Sequence, residues 1–218
     1  MKELAQQRAP YNISLERYCQ FLLAVVAFFI VAHISLNYAD IRYDNIHWLI
    51  IEFFHLDEEN NLPTWFSSFM LANNALLLAI IAIKATSYRL HWHLLTIGFL
   101  ILSIDEVAGI HESFNTVSEM NWTLVGAVLV ADLFVIYIPF LRSLQPHILF
   151  GYVSSGAIFV SGALVIEFFS RDIDSDSMTY IFATAAEEGM EMFGSLLFLF
   201  FNFTYLKQSQ GSVVIDIR

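Results

Sequence analysis

Charged residues and cysteine are scarce in this chain, and both shortages narrow what the protein can be. Only 14% of its 218 residues are Asp, Glu, Lys or Arg, against roughly 25% in an ordinary soluble domain. The single cysteine, Cys19, cannot form an internal disulfide, and no cysteine-rich metal motif exists. Lys and Arg number 10 against 21 acidic residues, a net charge of −11 that excludes a nucleic-acid-binding surface.

Apolar residues replace the missing charge, since 57% of the chain is hydrophobic and Phe alone counts 21. Six apolar segments approach or exceed the ~20 residues that a helix needs to cross a membrane. They lie at about 20–37, 64–84, 92–112, 121–141, 147–169 and 178–206. A seventh run, 46–56, is too short to span and is expected to form an interfacial helix or lid. We therefore predict an all-α fold, a single polytopic membrane domain over residues 1–218.

Basic residues orient this bundle, because loops rich in Lys and Arg stay in the cytoplasm. With the N-terminus inside, eight of the ten Lys and Arg residues fall in inner segments, and only Arg42 and Arg171 fall outside. The outer loops are acidic instead, and the run at 57–61 is interpreted as a solvated loop before Pro63. We expect an inner (cytoplasmic) membrane protein with both termini cytoplasmic. Membrane lipids are its expected partners, and a homo-oligomer or other membrane subunits remain open.

Eight carboxylates fall inside or at the edge of the predicted spans, although no Lys or Arg lies in the middle of any span. They are Asp105, Glu106, Glu112, Asp132, Glu167, Glu187, Glu188 and Glu191. A charge that faces lipid at mid-span costs about 2.5–3.5 kcal/mol. These side chains are therefore expected to face the interior of the bundle.

Helical periodicity arranges the acids of the third span. At about 100° per residue, Asp105 and Glu112 share one face, with Glu106 beside them and His111 about 100° away on the other flank. Gly109 lies on the same face and is expected to allow close approach of another helix.

The sixth span carries a matching stripe. Glu187, Glu188 and Glu191 fall on one face together with Gly194, which is expected to let the third and sixth spans approach each other. Because these acids lie in the outer parts of their spans and the inner halves are apolar, the sequence predicts one cavity. This cavity opens to the outer side and has an apolar floor.

Packed carboxylates without basic partners must either take up protons or surround cations. The six carboxylates of the third and sixth spans are too many for a structural network alone. A neighbouring imidazole favours Fe, Mn or Zn as the bound ion. We predict a site for one or two divalent metal ions. Its expected ligands are Asp105, Glu106, His111, Glu112, Glu187, Glu188 and Glu191. A surplus carboxylate, Glu187 or Glu106, is the expected catalytic base or proton shuttle.

The remaining polar residues of the spans carry weaker signals. His33, His47 and His55 map to the outer side, but each is more readily explained as an interfacial residue than as a ligand. Asp132 fits a structural hydrogen bond as well as a functional role, and Glu167 fits simple solvation near the interface as well as a functional role. Interhelical hydrogen bonds are expected of two dipeptides, Ser67-Ser68 and Asn73-Asn74.

Three motifs carry a family resemblance. The stretches "PTWFSS" (63–68), "LSIDEVAGIHE" (102–112) and "AEEGMEMFG" (186–194) together resemble a group of small, uncharacterised multi-pass membrane proteins of prokaryotes. The resemblance implies only that the three motifs belong together. The His-Glu-x-x-His and Gly-x-Ser-x-Gly motifs are absent from the sequence.

Three functions fit these observations. The leading hypothesis is a metal-dependent membrane enzyme, hydrolytic or oxidative, that acts from the outer side on a lipid-like or small hydrophobic substrate. The alternative is a divalent-cation or proton transporter, for which the inner halves offer Tyr152, Ser154 and Ser155 as polar residues. A third possibility is a non-catalytic accessory subunit of a membrane complex.

Overall fold

The computed structural model describes residues 15–44, 46–111, 113 and 121–210, and these residues form helices without strands. Seven helices are bounded within these ranges: α1 Leu15–Tyr43, α2 Trp48–Phe54, α3 Leu62–Lys84, α4 Arg89–Ala108, α5 Trp122–Arg142, α6 Pro146–Ser170 and α7 Met178–Gln210. All except α2 are long and apolar enough to cross a membrane. The all-α prediction and its six long helices are confirmed.

Local sequence signals set most of the helix ends. Asn61 caps α3, because its Oδ1 accepts the Thr64 N–H at 3.2 Å, and Pro63 occupies the first turn. Asn121 caps α5 in the same way through the Thr123 N–H at 3.0 Å. The third span departs from the prediction, since α4 ends at Ala108 and not at residue 112.

Helix α7 lies at the centre of the bundle and packs against α1, α3 and α6. Its side chains Met192 and Leu199 are fully buried, whereas Phe182 and Phe193, on the face opposite Glu191, are exposed. Glu187 lies on the buried side, with 9% of its surface exposed. The acidic stripe of α7 therefore faces the interior, as its periodicity predicted.

A buried polar network joins α3, α6 and α7. The Asn74 amide donates to the Ser195 carbonyl at 2.9 Å and lies 3.1 Å from the Ser195 hydroxyl. Asn202 donates to Asn74 Oδ1 at 2.9 Å, and the Tyr152 hydroxyl donates to Asn202 Oδ1 at 2.8 Å. All four side chains are buried. The predicted interhelical role of Asn74 is confirmed.

Ser68 and Asn73, which belong to the two predicted dipeptides, form different kinds of hydrogen bond. Ser68 donates its hydroxyl to the Ser103 carbonyl at 2.7 Å and so links α3 to α4, as predicted. Asn73 instead donates to the Phe69 carbonyl of its own helix at 2.8 Å. The interhelical prediction was therefore wrong for Asn73, since its amide is satisfied within α3.

Helix α2 folds over one end of the bundle, which we call the lid end. His33 holds it there: its Nδ1 accepts the Leu56 N–H at 3.1 Å, and its Nε2 lies 3.3 Å from the Ile181 carbonyl oxygen. The His55 ring packs on the His33 ring with centroids 4.6 Å apart. His33 is fully buried, so this imidazole joins the lid to α1 and α7.

The predicted glycine contact between the third and sixth spans was wrong. Gly194 packs against α6, where an added Cβ would come within 2.7 Å of the Phe159 nitrogen. Gly109 packs against the Glu59 carboxylate of the lid loop, which is the segment 55–61 between α2 and α3. Helix α4 packs on α3 instead. A cavity between α4 and α7 lies where the glycine contact was expected.

Candidate functional site

An acidic cavity of about 260 Å³ lies at the lid end, between the lid loop, α4, α6 and α7. Among the described residues, nine carboxylates line it: Asp57, Glu58, Glu59, Asp105, Glu106, Glu167, Glu187, Glu188 and Glu191. The basic groups that the described residues add to its wall are His111 and Arg171. The structure thus brings six of the seven predicted site residues to one cavity. The seventh, Glu112, lies outside the described residues.

A left-handed glycine at the end of α4 shapes the first wall of the cavity. Gly109 has φ +54° and donates its N–H to the Asp105 carbonyl at 2.8 Å, which ends the helix. Beyond Gly109, where Ile110 and His111 are again helical, Asp105 Oδ1 accepts the His111 N–H at 3.1 Å and Oδ2 lies 2.8 Å from His111 Nδ1. His111 therefore contacts Asp105 directly. The predicted 100° separation was wrong because the helix stops before His111.

Trp122 connects this wall to α6. Its ring packs against His111 with centroids 5.1 Å apart, and its Nε1–H donates to Glu167 Oε1 at 2.6 Å. On the next turn Ser170 donates its hydroxyl to Glu187 Oε2 at 3.3 Å. Glu167 therefore lies in the cavity wall, where its carboxylate accepts the Trp122 hydrogen bond.

A π-helical segment, Ser161–Ile166, interrupts α6 beside the acids of α7. At Gly162 an added Cβ would lie 2.6 Å from the Glu187 carbonyl oxygen and 3.1 Å from the Glu191 Cγ. Glycine is therefore the residue that allows α6 to approach the acidic stripe this closely. Single π-turns within α-helices often occur at functional sites.

The carboxylates deep in the cavity have few partners. Within the described ranges, no hydrogen bond joins Glu188 or Glu191 to another residue. Glu59 Oε1 is buried without a hydrogen-bond partner in the same ranges. Among the ion pairs of the described chain, only that of Asp105 with His111 involves a cavity carboxylate. Such groups are stable in a protein only when they are protonated or neutralised by a bound cation.

The side chains as placed do not form a coordination sphere. Across residues 15–44, 46–111, 113 and 121–210, no three His, Cys, Asp or Glu side chains come close enough together to hold one metal ion. The predicted ligands therefore share a cavity without meeting at one point.

Sequence reasoning missed the contribution of the lid loop. Asp57, Glu58 and Glu59 were interpreted as a solvated loop, but all three line the cavity. The Tyr180 hydroxyl of α7 donates to Asp57 and ties this loop to the bundle. The acidic run was visible in the sequence, whereas its position above the other acids depends on how the lid folds.

The three histidines that were predicted on the outer side together with His111 lie outside the acidic cavity. His33 holds the lid, His47 caps α2 by accepting the Leu49 N–H at 3.3 Å, and His55 ends α2. None of the three lines the acidic cavity. Their described contacts are with the lid, α1 and α7.

A larger cavity of about 430 Å³ lies at the other end of the bundle. Its described wall includes Trp92, Phe140 and Tyr205, and none of the described residues that line it carries a carboxylate, an imidazole or a basic group. It therefore offers no chemistry comparable to that of the acidic cavity.

Six long apolar helices and this cavity define a multi-pass membrane protein with an acidic pocket at one end of its bundle. The family model of a domain of unknown function, DUF8692, matches residues 21–206, a range that includes every residue of the pocket. The chain belongs to this family. Neither a curated protein nor a solved structure matches it significantly.

Proposed function

We propose that the acidic cavity binds one or two divalent cations and that the chain is a membrane-embedded, metal-dependent enzyme. The observation that carries the proposal is the imbalance of charge: nine carboxylates share about 260 Å³ with one imidazole and one guanidinium. Two like charges 5 Å apart repel each other by about 3 kcal/mol at an effective dielectric constant of 20. A divalent cation would remove this repulsion for several carboxylates at once.

The contact between Asp105 and His111 supports a transition metal or zinc. Histidine ligands commonly give one ring nitrogen to a carboxylate, which fixes the tautomer and turns the other nitrogen toward the metal. Asp105 engages Nδ1 at 2.8 Å, so Nε2 would be the ligand atom of His111. Mixed imidazole and carboxylate ligands suit Fe, Mn or Zn, which we propose as the metal.

The remaining ligands would come from the long acidic side chains of α4 and α7. Glu106, Glu188 and Glu191 line the same cavity, and each has three rotatable bonds before its carboxylate. Binding would require these side chains to turn toward a common point, since they do not meet in the described geometry. Glu112 is the further ligand that the sequence predicts.

Catalysis would use the carboxylate that the metal leaves free. Glu187 is the best placed, because its carboxylate accepts the Ser170 hydroxyl bond and lies beside the deeper acids. It would act as a general base on a metal-bound water or on the substrate. Leu56, Leu102 and Phe159 also line the cavity and would suit a lipid-like or small hydrophobic substrate.

The distribution of basic residues supports an orientation for this site. Eight of the ten Lys and Arg residues fall at one side of the predicted spans, which would be the cytoplasmic side. The lid end would then face outward. The chain would be an inner-membrane protein of a prokaryote, with both termini in the cytoplasm.

One observation favours the transporter as a second candidate. The buried network of Ser195, Asn74, Asn202 and Tyr152 begins one helical turn beyond Glu191 and leads toward the other end of the bundle. It supplies a polar path that the sequence did not reveal, because Asn202 stands within an apolar run.

A second route, along α6, is less well supported. Ser154 and Ser155 both donate to the Gly151 carbonyl of their own helix, at 3.1 and 2.5 Å. Side-chain amides also transfer protons poorly, so the buried network is better suited to holding helices together than to conduction. We therefore expect purified protein in liposomes to move neither divalent cations nor protons. A flux that needs Glu188 and is abolished by Asn202→Leu would instead establish the transporter.

Calorimetric titration of the chelator-treated protein in lipid nanodiscs with Mn²⁺ or Zn²⁺ tests the proposal. We expect saturable binding that is weakened at least about tenfold by Glu188→Gln, as for loss of a metal-site residue. Glu52→Gln is the matched control, because Glu52 is exposed on α2 and lies outside the cavity. Equal binding by both variants would refute a metal site at Glu188.

A further inference from the structure

Asp132 lies at the middle of α5 on the surface of the described chain. The helix runs from Trp122 to Arg142, which places Asp132 about 15 Å from either end at 1.5 Å per residue. Its side chain is exposed, whereas Thr123, half a turn away around the helix axis, is buried. Asp132 therefore points away from the bundle, and it does not line the acidic cavity.

The surface around Asp132 is apolar and uncovered. Val128, Leu129, Val135 and Ile136 share this face, and between 55% and 65% of each is exposed. Within the described chain, α5 packs on the Ser161–Ile166 segment, and near its C-terminal end Tyr137 and Phe140 contact His91 and Trp92 of α4. The face thus combines one carboxylate at mid-depth with side chains that suit lipid or another helix.

A carboxylate at mid-span that faces acyl chains is strongly disfavoured, and such residues usually face protein. We infer that α5 forms an interface between two copies of this chain, with Asp132 of one copy against Asp132 of the other. All copies insert in one orientation, so the same residue lies at the same depth in each. A two-fold axis along the membrane normal then brings each residue of the face to its own equivalent.

Charge and hydrogen bonding favour a second copy as the occupant. Carboxyl side chains are self-complementary, because the O–H of one carboxyl donates to an oxygen of another. No other charge on this face opposes the approach, since its neighbours are Val, Leu and Ile. The inference is independent of the metal site, so either can fail alone.

Cysteine cross-linking in liposomes tests the interface. On a Cys19→Ser background, Leu129→Cys places a thiol one turn from Asp132 on the same face, and Val31→Cys places one on the exposed side of α1. At a high lipid-to-protein ratio, we expect oxidation to give a covalent dimer for Leu129→Cys and not for Val31→Cys. Equal cross-linking of the two would overturn the inference.

Substitution of Asp132 itself supplies the second measurement. Asp132→Asn keeps a donor and an acceptor and should preserve the cross-link. Asp132→Leu should weaken dimerisation about three- to thirty-fold, the range for interhelical hydrogen bonds in membranes. Because Leu suits lipid, this variant should fold, which its unfolding curve checks. An unchanged dimer in Asp132→Leu would contradict the inference. So would a monomeric chain that instead pairs with a synthetic membrane helix carrying a mid-span Lys.

Discussion

The Asp105 carboxylate makes two contacts with His111 across the end of α4: one oxygen accepts the backbone N–H at 3.1 Å, and the other lies 2.8 Å from Nδ1. The double contact depends on the left-handed conformation of Gly109, which ends the helix between the two residues. The geometry of the candidate site thus rests on one backbone position as much as on its acids.

Replacement of that glycine should disturb both stability and the site. We expect Gly109→Ala to lower the free energy of unfolding by at least about 1 kcal/mol, because φ +54° strains any residue with a Cβ. The added Cβ would also overlap the Glu59 carboxylate. Chemical unfolding in detergent measures the change.

Gly98→Ala is the matched control in the same helix. An added Cβ at Gly98 meets nothing within 4 Å, and Ala favours a helix over Gly by up to about 1 kcal/mol. Gly98→Ala should therefore be neutral or stabilising. Equal losses in the two variants would show that neither the backbone conformation nor Glu59 accounts for the effect.

The adjacent asparagines of α3 should differ sharply. Asn74→Leu removes the donor to Ser195 and the acceptor for Asn202, and we expect a loss of about 1–3 kcal/mol because buried partners are left unsatisfied. Asn73 bonds only its own helix, so Asn73→Leu should change stability by less than about 0.5 kcal/mol. Similar unfolding curves for both variants would contradict the claim that the Asn74 hydrogen bonds stabilise the packing of α3 on α7.

Much of this fold could be predicted from the sequence, because long apolar runs have few alternatives in a membrane. The predicted bounds of the spans and the lid lie within four residues of the observed helix ends, except at α1, which runs from Leu15 to Tyr43 and not from 20 to 37. Helix α4 ends at Ala108, before the predicted end of its span. There the run "LSIDEVAGIHE" continues the helical pattern, and nothing in the periodicity shows that Gly109 adopts a left-handed conformation. The position of His111 was therefore predicted on the wrong flank.

The acidic residues of the site could be predicted from the sequence, but the contacts that hold them in place could not. Periodicity and depth brought the carboxylates of α4 and α7 to one side, and the cavity contains them. The roles of Trp122 and Gly162 depend on how α5 and α6 pack, which no single helix encodes. The acidic loop at 57–59 was assigned to solvent because a charged run before a proline is usually a solvated turn.

Acid should loosen the lid end. Burial lowers the pKa of His55 below its ordinary 6.5, although the carboxylates of Asp57 and Glu58 oppose the shift. The unfolded chain therefore binds a proton before the folded chain does as the pH falls below about 6.5. The contribution of His55 to stability is complete above this pH and is lost as the pH decreases toward the folded value. We expect the His55 contribution to lower the Tm at pH 5.5 relative to pH 7.5.

The His55→Gln variant isolates this contribution from that of the cavity acids. Its Tm should fall less between the two pH values than that of the unmodified chain. His147→Gln is the control, because His147 is exposed and contacts Gln208 at the other end of the bundle. A pH dependence that is identical in all three proteins would exclude His55 as its source.

Topology can be tested with a pair of matched serines. On a Cys19→Ser background, Ser175→Cys lies in the exposed loop before α7 and Ser87→Cys lies in the exposed loop before α4. If the lid end faces outward, an impermeant thiol reagent should label Ser175→Cys in intact cells and Ser87→Cys only after lysis. The reverse pattern would invert the proposed orientation.

The metal content of the purified protein tests the central proposal most directly. We expect near-stoichiometric Fe, Mn or Zn, one or two ions per chain, in protein prepared without chelator and analysed by plasma mass spectrometry. Glu52→Gln should retain this metal and Glu188→Gln should lose it. Protein that is free of metal, and whose Tm does not change when Mn, Fe or Zn is added, would contradict the account. The acidic cavity would then be a protonated network.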